Sequence, residues 1–149
     1  MTVLGLGEAD SFGNVNVSNF SGVMPGCGGF VDISQNSKKV IFMGTLTAGG
    51  LKIAWDGEKL QIVKEGKIKK FKQLVGEKTF AGASAAGRTI LFITERAVFQ
   101  IPPGGEGLEL IEVAPGIDIE RDVVGQMEFR PIINEPVALM ESRLFEIIG

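Results

Sequence analysis

Hydrophobic residues recur in short runs and at alternate positions along most of the chain, a pattern typical of β-strands rather than of long helices. Val3 to Leu6 form a first apolar run. Hydrophobic and polar residues then alternate over positions 14–18, which is the period of a half-buried strand. We therefore predict a first strand over Val3 to Leu6 and a hairpin whose turn lies near Ser11 to Asn14.

The middle of the chain carries a succession of further strand signals. The run KVIFMGTL, residues 39–46, is continuously apolar and predicts a strand buried on both faces. The segment LKIAWDGEKLQIV, residues 51–63, places an Asp-Gly pair between two apolar runs, which is a strong hairpin signal. Strand-length runs also occur in IKKFKQLV, TILFITERAVFQI and LELIEV. Adjacent strands of this kind predict an antiparallel meander.

Helical signals are few and short. A short helix could follow the glycines of residues 28–29 and end near Ser37. In PGIDIERDVVGQM, Asp118 is a candidate N-cap, and in EPVALMESRLF, Pro136 is a candidate first helical residue. The predicted fold class is therefore α/β, β-rich, with a meander and a few short helices. Its 149 residues suit a single domain, 1–149.

The amino-acid composition argues for a folded domain and against some classes of partner. Hydrophobic residues make up 44% of the chain and charged residues 22%, so a packed core is expected. The formal net charge of −3 argues against a nucleic-acid partner held by phosphate contacts. The local lysine cluster KEGKIKKFK, Lys64 to Lys72, is interpreted as the solvated face of a strand.

The residue types that are missing exclude several kinds of site. The chain has no histidine and a single cysteine, so zinc sites built on those ligands and Ser-His-Asp or Cys-His catalysis within the chain are excluded. No apolar run approaches the roughly 18 residues of a membrane span, and the N-terminus does not have the pattern of a signal peptide. We expect no membrane partner and a cytoplasmic location, where a lone cysteine stays reduced.

The stretch VMPGCGGFVDIS, Val23 to Ser34, has almost no side-chain bulk over residues 26–29. Two interpretations stay open from spacing alone. The glycines could serve a tight turn that needs positive φ angles. Alternatively, bare backbone N–H groups could receive an anionic or amide-rich ligand. The glycine spacing matches neither the Walker nor the dinucleotide-binding pattern.

Several segments of the chain resemble the family I coenzyme A transferases, in particular the long single-chain propionate and acetate CoA-transferases. The resemblance covers essentially all 149 residues. It is carried by GNVNVSNF, PGCGGFVDISQNSKKVIFMGTLTAGGL, ITERAVFQI, GLELIEVAPGIDIERDV, MEFRPII and LMESRLF. It implies that the chain is the C-terminal part of an open-sheet domain of that family.

The resemblance also implies a reaction and a site. In the family, a glutamate carboxylate attacks an acyl-CoA thioester, forms an acyl anhydride and becomes a glutamyl-CoA thioester, a form of covalent catalysis. Coenzyme A is then a substrate, no prosthetic group is needed, and the partners are acyl-CoA and small carboxylates. The resemblance places Gly26, Gly28 and Gly29 in the wall against which the pantetheine arm of CoA lies.

One departure from the family pattern matters. The nucleophilic glutamate of the family stands in a Glu-x-Gly setting upstream of the segments that this chain matches. Glu8, Glu65 and Glu106 do not match that setting. We therefore expect the chain to be a truncated part of the glutamate-bearing half, inactive alone. Its expected partners are the missing N-terminal half of the enzyme and further copies in a homo-oligomer.

Other polar residues receive structural interpretations. Asn16 and Asn19 could point toward the CoA site, although turn-shaping hydrogen bonds are the commoner role of such residues. Cys27 is interpreted as a small spacer, and Arg96 and Arg121 as members of interface or core-edge ion pairs. The alternative to a transferase segment is a non-catalytic β-rich binding or assembly module, or a relic without function.

Overall fold

The computed structural model describes residues 2–16, 38–75, 88–102 and 107–146. Over these residues the protein is mostly β, with short helical turns. The strands in chain order are β1 (Thr2–Gly5), β2 (Glu8–Asp10), β3 (Val15–Asn16), β4 (Lys39–Met43), β5 (Thr47–Ala48), β6 (Lys52–Trp55), β7 (Leu60–Lys64), β8 (Ile68–Lys69), β9 (Phe71–Lys72), β10 (Thr89–Ile93), β11 (Ala97–Gln100), β12 (Glu109–Val113) and β13 (Ile132–Leu139).

The largest sheet has the strand order β1-β4-β10-β11-β12-β13 among the described strands. β1, β4 and β10 run parallel to one another, and β10, β11 and β12 form an antiparallel meander. The other described strands form three smaller sheets, β3-β2-β9, β5-β8 and β6-β7. The predicted β-rich open sheet with a meander is confirmed, although the strands between residues 39 and 72 are distributed over all four sheets.

Both predicted hairpins form. β2 and β3 pair antiparallel around residues 11–14. β6 and β7 pair antiparallel around a loop that contains Asp56 and Gly57. The Asp56 carboxylate accepts hydrogen bonds from the N–H groups of Glu58 and Lys59, and Gly57 adopts a φ of 98°, which explains why an Asp-Gly pair occupies this loop.

The core lies on one face of the parallel strands. Val40 and Phe42 of β4 are fully buried and pair in register with Ile90 and Phe92 of β10. The rings of Phe42 and Phe92 lie 5.3 Å apart, centroid to centroid. On the opposite face Met43 is 48% exposed. The prediction that β4 is buried on both faces is therefore wrong, because only alternate side chains of this strand reach the core.

The predicted helix starting at Pro136 is also wrong. Pro136 lies inside β13, the outermost strand on its side of the large sheet among the described strands, and its preceding peptide bond is cis. The pairing of β12 with β13 shifts register around this stretch. A proline has no N–H to donate, and an outer, irregular strand is where that loss costs least. Within EPVALMESRLF, the helical part is the 3₁₀ turn Ser142–Phe145.

The other late helical signal is confirmed in a shorter form. Asp118 caps a π-helical turn, Ile119–Val123, by accepting a hydrogen bond from the Arg121 N–H. A 3₁₀ turn, Val124–Gln126, follows directly. Trp55 stacks on Phe145 with ring centroids 4.9 Å apart, which joins the β6-β7 hairpin to the C-terminal part of the described chain.

Candidate substrate-binding edge of the sheet

The carboxyl ends of the three parallel strands meet at one edge of the large sheet. Gly5, Met43 and Ile93 are the last residues of β1, β4 and β10 and stand in register. The Leu6 N–H donates to the Met43 carbonyl oxygen at 2.8 Å, and the Gly44 N–H donates to the Ile93 carbonyl oxygen at 3.1 Å. In open sheets with parallel strands, ligands bind outside this edge. This edge is therefore the candidate site.

A buried arginine organises this edge. Arg96 is fully buried and lies in the tight connection between β10 and β11. Its Nη1 and Nη2 atoms donate to the two carboxylate oxygens of Glu65 at 2.7 and 2.8 Å, and its Nε atom donates to Glu95 at 2.7 Å. Nη1 also donates to the carbonyl oxygen of Asp122. Arg96 therefore ties the loop after β7, the end of β10 and the π-helical turn together.

The two carboxylates of this cluster accept further hydrogen bonds. Glu95 accepts a hydrogen bond from the Leu46 N–H at 2.7 Å, beyond the end of β4. Glu65 accepts one from the Thr47 hydroxyl at 2.6 Å. Gly66 follows Glu65 because a Cβ atom at this position would lie 2.5 Å from the Ala48 carbonyl oxygen. The Glu65-Gly66 pair is thus explained by the close approach of β5.

The ionisation of the cluster follows from its contacts. Burial opposes the charge on Glu65, but hydrogen bonds from Arg96 and Thr47 outweigh it, so the pKa of Glu65 is lowered. Burial likewise opposes the charge on Arg96, and its bonds to Glu65 and Glu95 outweigh that effect and raise its pKa. Both oxygens of Glu65 are engaged by Arg96, which makes this carboxylate a structural ion-pair partner and not an exposed nucleophile.

Lys70 brings a second positive charge to the same edge. Its side chain is 4% exposed, and burial lowers its pKa, an effect that the charge of Glu95 partly opposes. The Lys70 ammonium packs against Gly44, where an added Cβ atom would come within 2.9 Å of Nζ. The interpretation of Lys64 to Lys72 as one solvated face is therefore wrong at Lys70. The run is split between β8 and β9, and this break turns Lys70 inward.

A cleft of about 430 Å³ opens beside these strand ends. We call it the Lys70 cleft. The residues that line it are Gly7, Glu8, Asn16, Ala48, Ile68, Lys69, Lys70 and Lys72. Its charged lining consists of three lysines and one glutamate, in a chain whose formal net charge is −3. Its volume falls in the range of roughly 300–1,000 Å³ that is common for small-molecule sites.

The β2-β3 hairpin supplies one wall of the Lys70 cleft. Asn16 is buried, and its Nδ2 atom donates to the Glu8 carboxylate at 3.0 Å. The Glu8 carboxylate lies 3.9 Å from the Lys72 ammonium. Asp10, which is fully buried, holds the turn through hydrogen bonds from backbone N–H groups, including those of Phe12 and Asn14.

The structure places only some of the sequence-predicted site residues. Gly26, Gly28 and Gly29 lie outside the described residues, as do Asn19 and Cys27. Asn16 lines the Lys70 cleft, and its hydrogen bond to Glu8 is the hairpin-shaping role that was expected of it. Arg96 forms ion pairs with Glu65 and Glu95. Arg121 forms an ion pair with Asp122.

The sequence analysis predicted neither the buried position of Lys70 nor the burial of the ion-pair cluster around Arg96. No sequence signal marks Lys70 within its run, because four other lysines surround it between positions 64 and 72. The charged pair Glu95 and Arg96, which lies between two apolar runs, was the available signal for the cluster. Among the residues that the structure describes, no three side chains of the metal-binding types come together. The same residues contain no helix long and apolar enough to cross a membrane.

Comparison with known proteins shows which proteins contain a matching segment. The chain is 49% identical over 144 residues to the acetate CoA-transferase YdiF of Escherichia coli, and 43% identical over 152 residues to the caffeate CoA-transferase of Acetobacterium woodii. The chain is homologous to a portion of each of these two CoA-transferases. It spans 27% and 28% of the lengths of these two relatives. No protein-family model matches the chain.

Solved structures of transferases contain the same fold. The acyl-CoA transferase YdiF from Escherichia coli superposes with a TM-score of 0.87 at 49% identity, over 96% of this chain and 28% of that one. That transferase has also been solved as a thioester complex with CoA. Glutaconate coenzyme A-transferase from Acidaminococcus fermentans superposes with a TM-score of 0.64 at 17% identity, which shows a shared fold.

Proposed function

We propose that this chain forms part of the CoA-binding wall of a transferase that moves coenzyme A between a short-chain acyl-CoA and a free carboxylate. The observation that carries the proposal is the match to acetate CoA-transferase, 49% identity over 95% of the chain, together with the CoA thioester complex solved for a transferase of the same fold. Coenzyme A and small carboxylates are the substrates under this proposal.

The transfer runs through a glutamyl-CoA thioester. A glutamate carboxylate attacks the thioester carbonyl, the C–S bond breaks, and an acyl anhydride forms as the CoA thiolate leaves. The thiolate then attacks the glutamyl carbonyl and releases the first carboxylate. The acceptor carboxylate repeats these steps in reverse. This chain does not supply the nucleophile under the proposal, since Glu65 is held by Arg96 and Glu8 is engaged by Asn16.

Under the proposal, this chain contributes one wall of the CoA site and positively charged side chains near it. Under the proposal, Gly26, Gly28 and Gly29 let the pantetheine arm lie against bare backbone. Lys69 and Lys72 place positive charge at the rim of the Lys70 cleft, which favours the approach of anionic substrates. The N-terminal remainder of the glutamate-bearing half is the partner that supplies the reacting carboxylate.

The substitution Gly29→Ala in the complete transferase tests the wall. If CoA lies against that backbone, the added methyl group clashes with it, and kcat/KM for acyl-CoA falls by at least about tenfold, roughly 1.4 kcal/mol, while the melting temperature barely moves. If Gly29 serves only a positive φ angle, the substitution costs about 1 kcal/mol of stability and leaves the kinetics unaltered. Steady-state kinetics and thermal unfolding of the purified variant separate the two outcomes.

A further inference from the structure

Exposed lysines gather around the glycine turn that connects β5 to β6. Residues 38–75 contain nine lysines and three acidic residues, in a chain whose formal net charge is −3. Lys52, Lys64 and Lys67 of this segment are exposed. Among the residues that the structure describes, none of these three meets a carboxylate within ion-pair distance. Their charges are therefore not neutralised by the described part of the chain.

Two of these lysines face each other across the β6-β7 hairpin. Lys52 and Lys64 are direct partners in the antiparallel register, so their side chains leave the same face of the hairpin. Like charges in directly opposite positions destabilise a strand pair. Glu65 follows Lys64, but both oxygens of its carboxylate accept hydrogen bonds from Arg96. The hairpin thus keeps two like charges at a cost in stability, as folded chains do at functional sites.

The glycine turn brings the third lysine to the same place. Gly49 and Gly50 follow β5 with φ angles of 82° and 97°, a conformation that residues with a Cβ atom rarely adopt. A Cβ atom on Gly50 would lie 3.8 Å from Nζ of Lys64, and one on Gly49 would lie 3.6 Å from Cβ of Lys67. The Lys67 N–H also donates to the Gly49 carbonyl oxygen at 3.3 Å. The Lys64 ammonium and the base of the Lys67 side chain therefore stand beside two consecutive residues of bare backbone.

We propose that this surface, Gly49 and Gly50 with Lys52, Lys64 and Lys67, binds a phosphate group that carries two or more negative charges. We call it the Lys64 patch. Lysine binds phosphate as a point charge on a flexible four-carbon stem, so three ammonium groups can surround one such group. A singly charged carboxylate would gain little at an exposed patch, whereas a multiply charged phosphate interacts with all three lysines. The source of the phosphate rests on the proposed function: it is either coenzyme A or a free phosphate anion.

The test is a titration of the purified chain with inorganic pyrophosphate, coenzyme A and pantetheine, at a constant ionic strength set with sodium chloride. A ligand of the native state raises the melting temperature in a saturable way. We expect saturable responses to pyrophosphate and to CoA. A lower half-saturating concentration for CoA than for pyrophosphate, with no response to the phosphate-free pantetheine, assigns the patch to the phosphates of CoA. An equal or higher concentration for CoA assigns it to a free phosphate anion.

Lys64→Glu is the informative variant because it moves binding and stability in opposite directions. It places a carboxylate opposite Lys52, so the melting temperature without ligand should stay equal or rise. The half-saturating concentration of pyrophosphate should increase at least about tenfold, because a positive partner of the phosphate becomes negative. Lys59→Glu is the matched control, since it makes the same change of charge at the other end of the hairpin. Lys59 is opposite Asp56, four residues from Lys52 along the strand. That separation of about 13 Å exceeds the Debye length of about 8 Å, so the affinity should be unaltered.

Two results would overturn the inference. One is the absence of a saturable response of the unaltered chain to either phosphate-bearing probe. The other is an equal affinity for pyrophosphate in Lys64→Glu and Lys59→Glu. If Lys64→Glu melts earlier than the unaltered chain, Lys64→Gln and Lys59→Gln repeat the comparison without reversing a charge. The readout is binding by this chain alone, so a failed titration leaves the transferase proposal standing, and a failed activity assay leaves the titration unaffected.

Discussion

Arg96 shows how a single residue can connect three parts of this fold. Its guanidinium is fully buried and is met by carboxylates from two different segments and by a backbone carbonyl. Removing one partner of a buried ion pair leaves the other charge uncompensated, which costs far more than the pair contributes when intact. The stability of the strand ends therefore depends on both Glu65 and Glu95.

Glu65→Gln should destabilise the protein. The amide keeps the shape of the side chain but leaves Arg96 short of one negative charge, and breaking such a pair costs roughly 3–5 kcal/mol when both partners are deeply buried. We expect a value toward the lower end, because about a quarter of the Glu65 side chain is exposed. Denaturant unfolding measures the change.

Glu120→Gln is the matched control, since the Glu120–Arg130 pair lies on the surface. Its unfolding midpoint should equal that of the unaltered chain. Equal midpoints for Glu65→Gln and Glu120→Gln would contradict the role assigned to the Arg96 cluster.

Lowering the pH should weaken the stabilising pair of Glu65 and Arg96. The pKa of Glu65 is lowered in the folded state, so its contribution to stability is complete above the unfolded value of about 4.3 and is lost as the pH falls through the lower folded value. Glu65→Gln removes this contribution, and its unfolding free energy should fall less steeply with acid below pH 5.

At the scale of elements, the hairpins were predictable because the residues that determine each turn are adjacent in the sequence. Ser11 to Asn14 and Asp56-Gly57 carry their turn chemistry in adjacent residues, and both turns form where expected. Pro136 was misassigned because a proline fits the first turn of a helix as well as an outer strand. Only the long-range pairing of β12 with β13 decides between these, and no local pattern encodes it.

The position of Lys70 was not predictable for a related reason. Alternation along Lys64 to Lys72 suggests one strand with its charges outward. The chain instead leaves β8 and enters β9 in a different sheet, which reverses the direction of the lysine between them. The Lys70 cleft therefore arises from tertiary packing, whereas the candidate glycines came from the resemblance of a contiguous motif.

The hairpin that walls the Lys70 cleft depends on one carboxylate. Asp10→Ala should destabilise the chain by about 2 kcal/mol or more, because several backbone N–H groups, including the buried one of Asn14, lose their acceptor. Asp10→Asn, which retains one carbonyl oxygen, should cost less. Urea denaturation of both variants checks the order, and an Asp10→Ala protein as stable as the unaltered one would show that the carboxylate does not hold the turn.

On the scale of the whole molecule, the large sheet presents an apolar face at its outermost described strand. Val3 of β1 is 51% exposed and Met43 of β4 is 48% exposed, and the strand register places both on the same face. Exposed apolar area and an outer strand edge both favour association. The predicted homo-oligomer and the predicted N-terminal partner would each cover such a face.

We expect the isolated chain to associate at micromolar concentration. Sedimentation velocity should show species larger than the 15.9 kDa monomer, and Val3→Lys/Met43→Lys, which places charges on this face, should shift the distribution toward the monomer. A clean monomer that binds no hydrophobic dye would contradict the assignment of this face as an interface.

We propose that this chain serves a CoA-transferase as the equivalent segment serves its relatives. The direct measurement replaces the matching segment of the Escherichia coli acetate CoA-transferase, 49% identical over 144 residues, with this chain and follows CoA transfer from acetyl-CoA to propionate. We expect the folded chimera to transfer CoA, whereas the isolated chain in the same assay should give no product above a buffer blank. A correctly folded chimera without transferase activity, or turnover by the isolated chain, would contradict it.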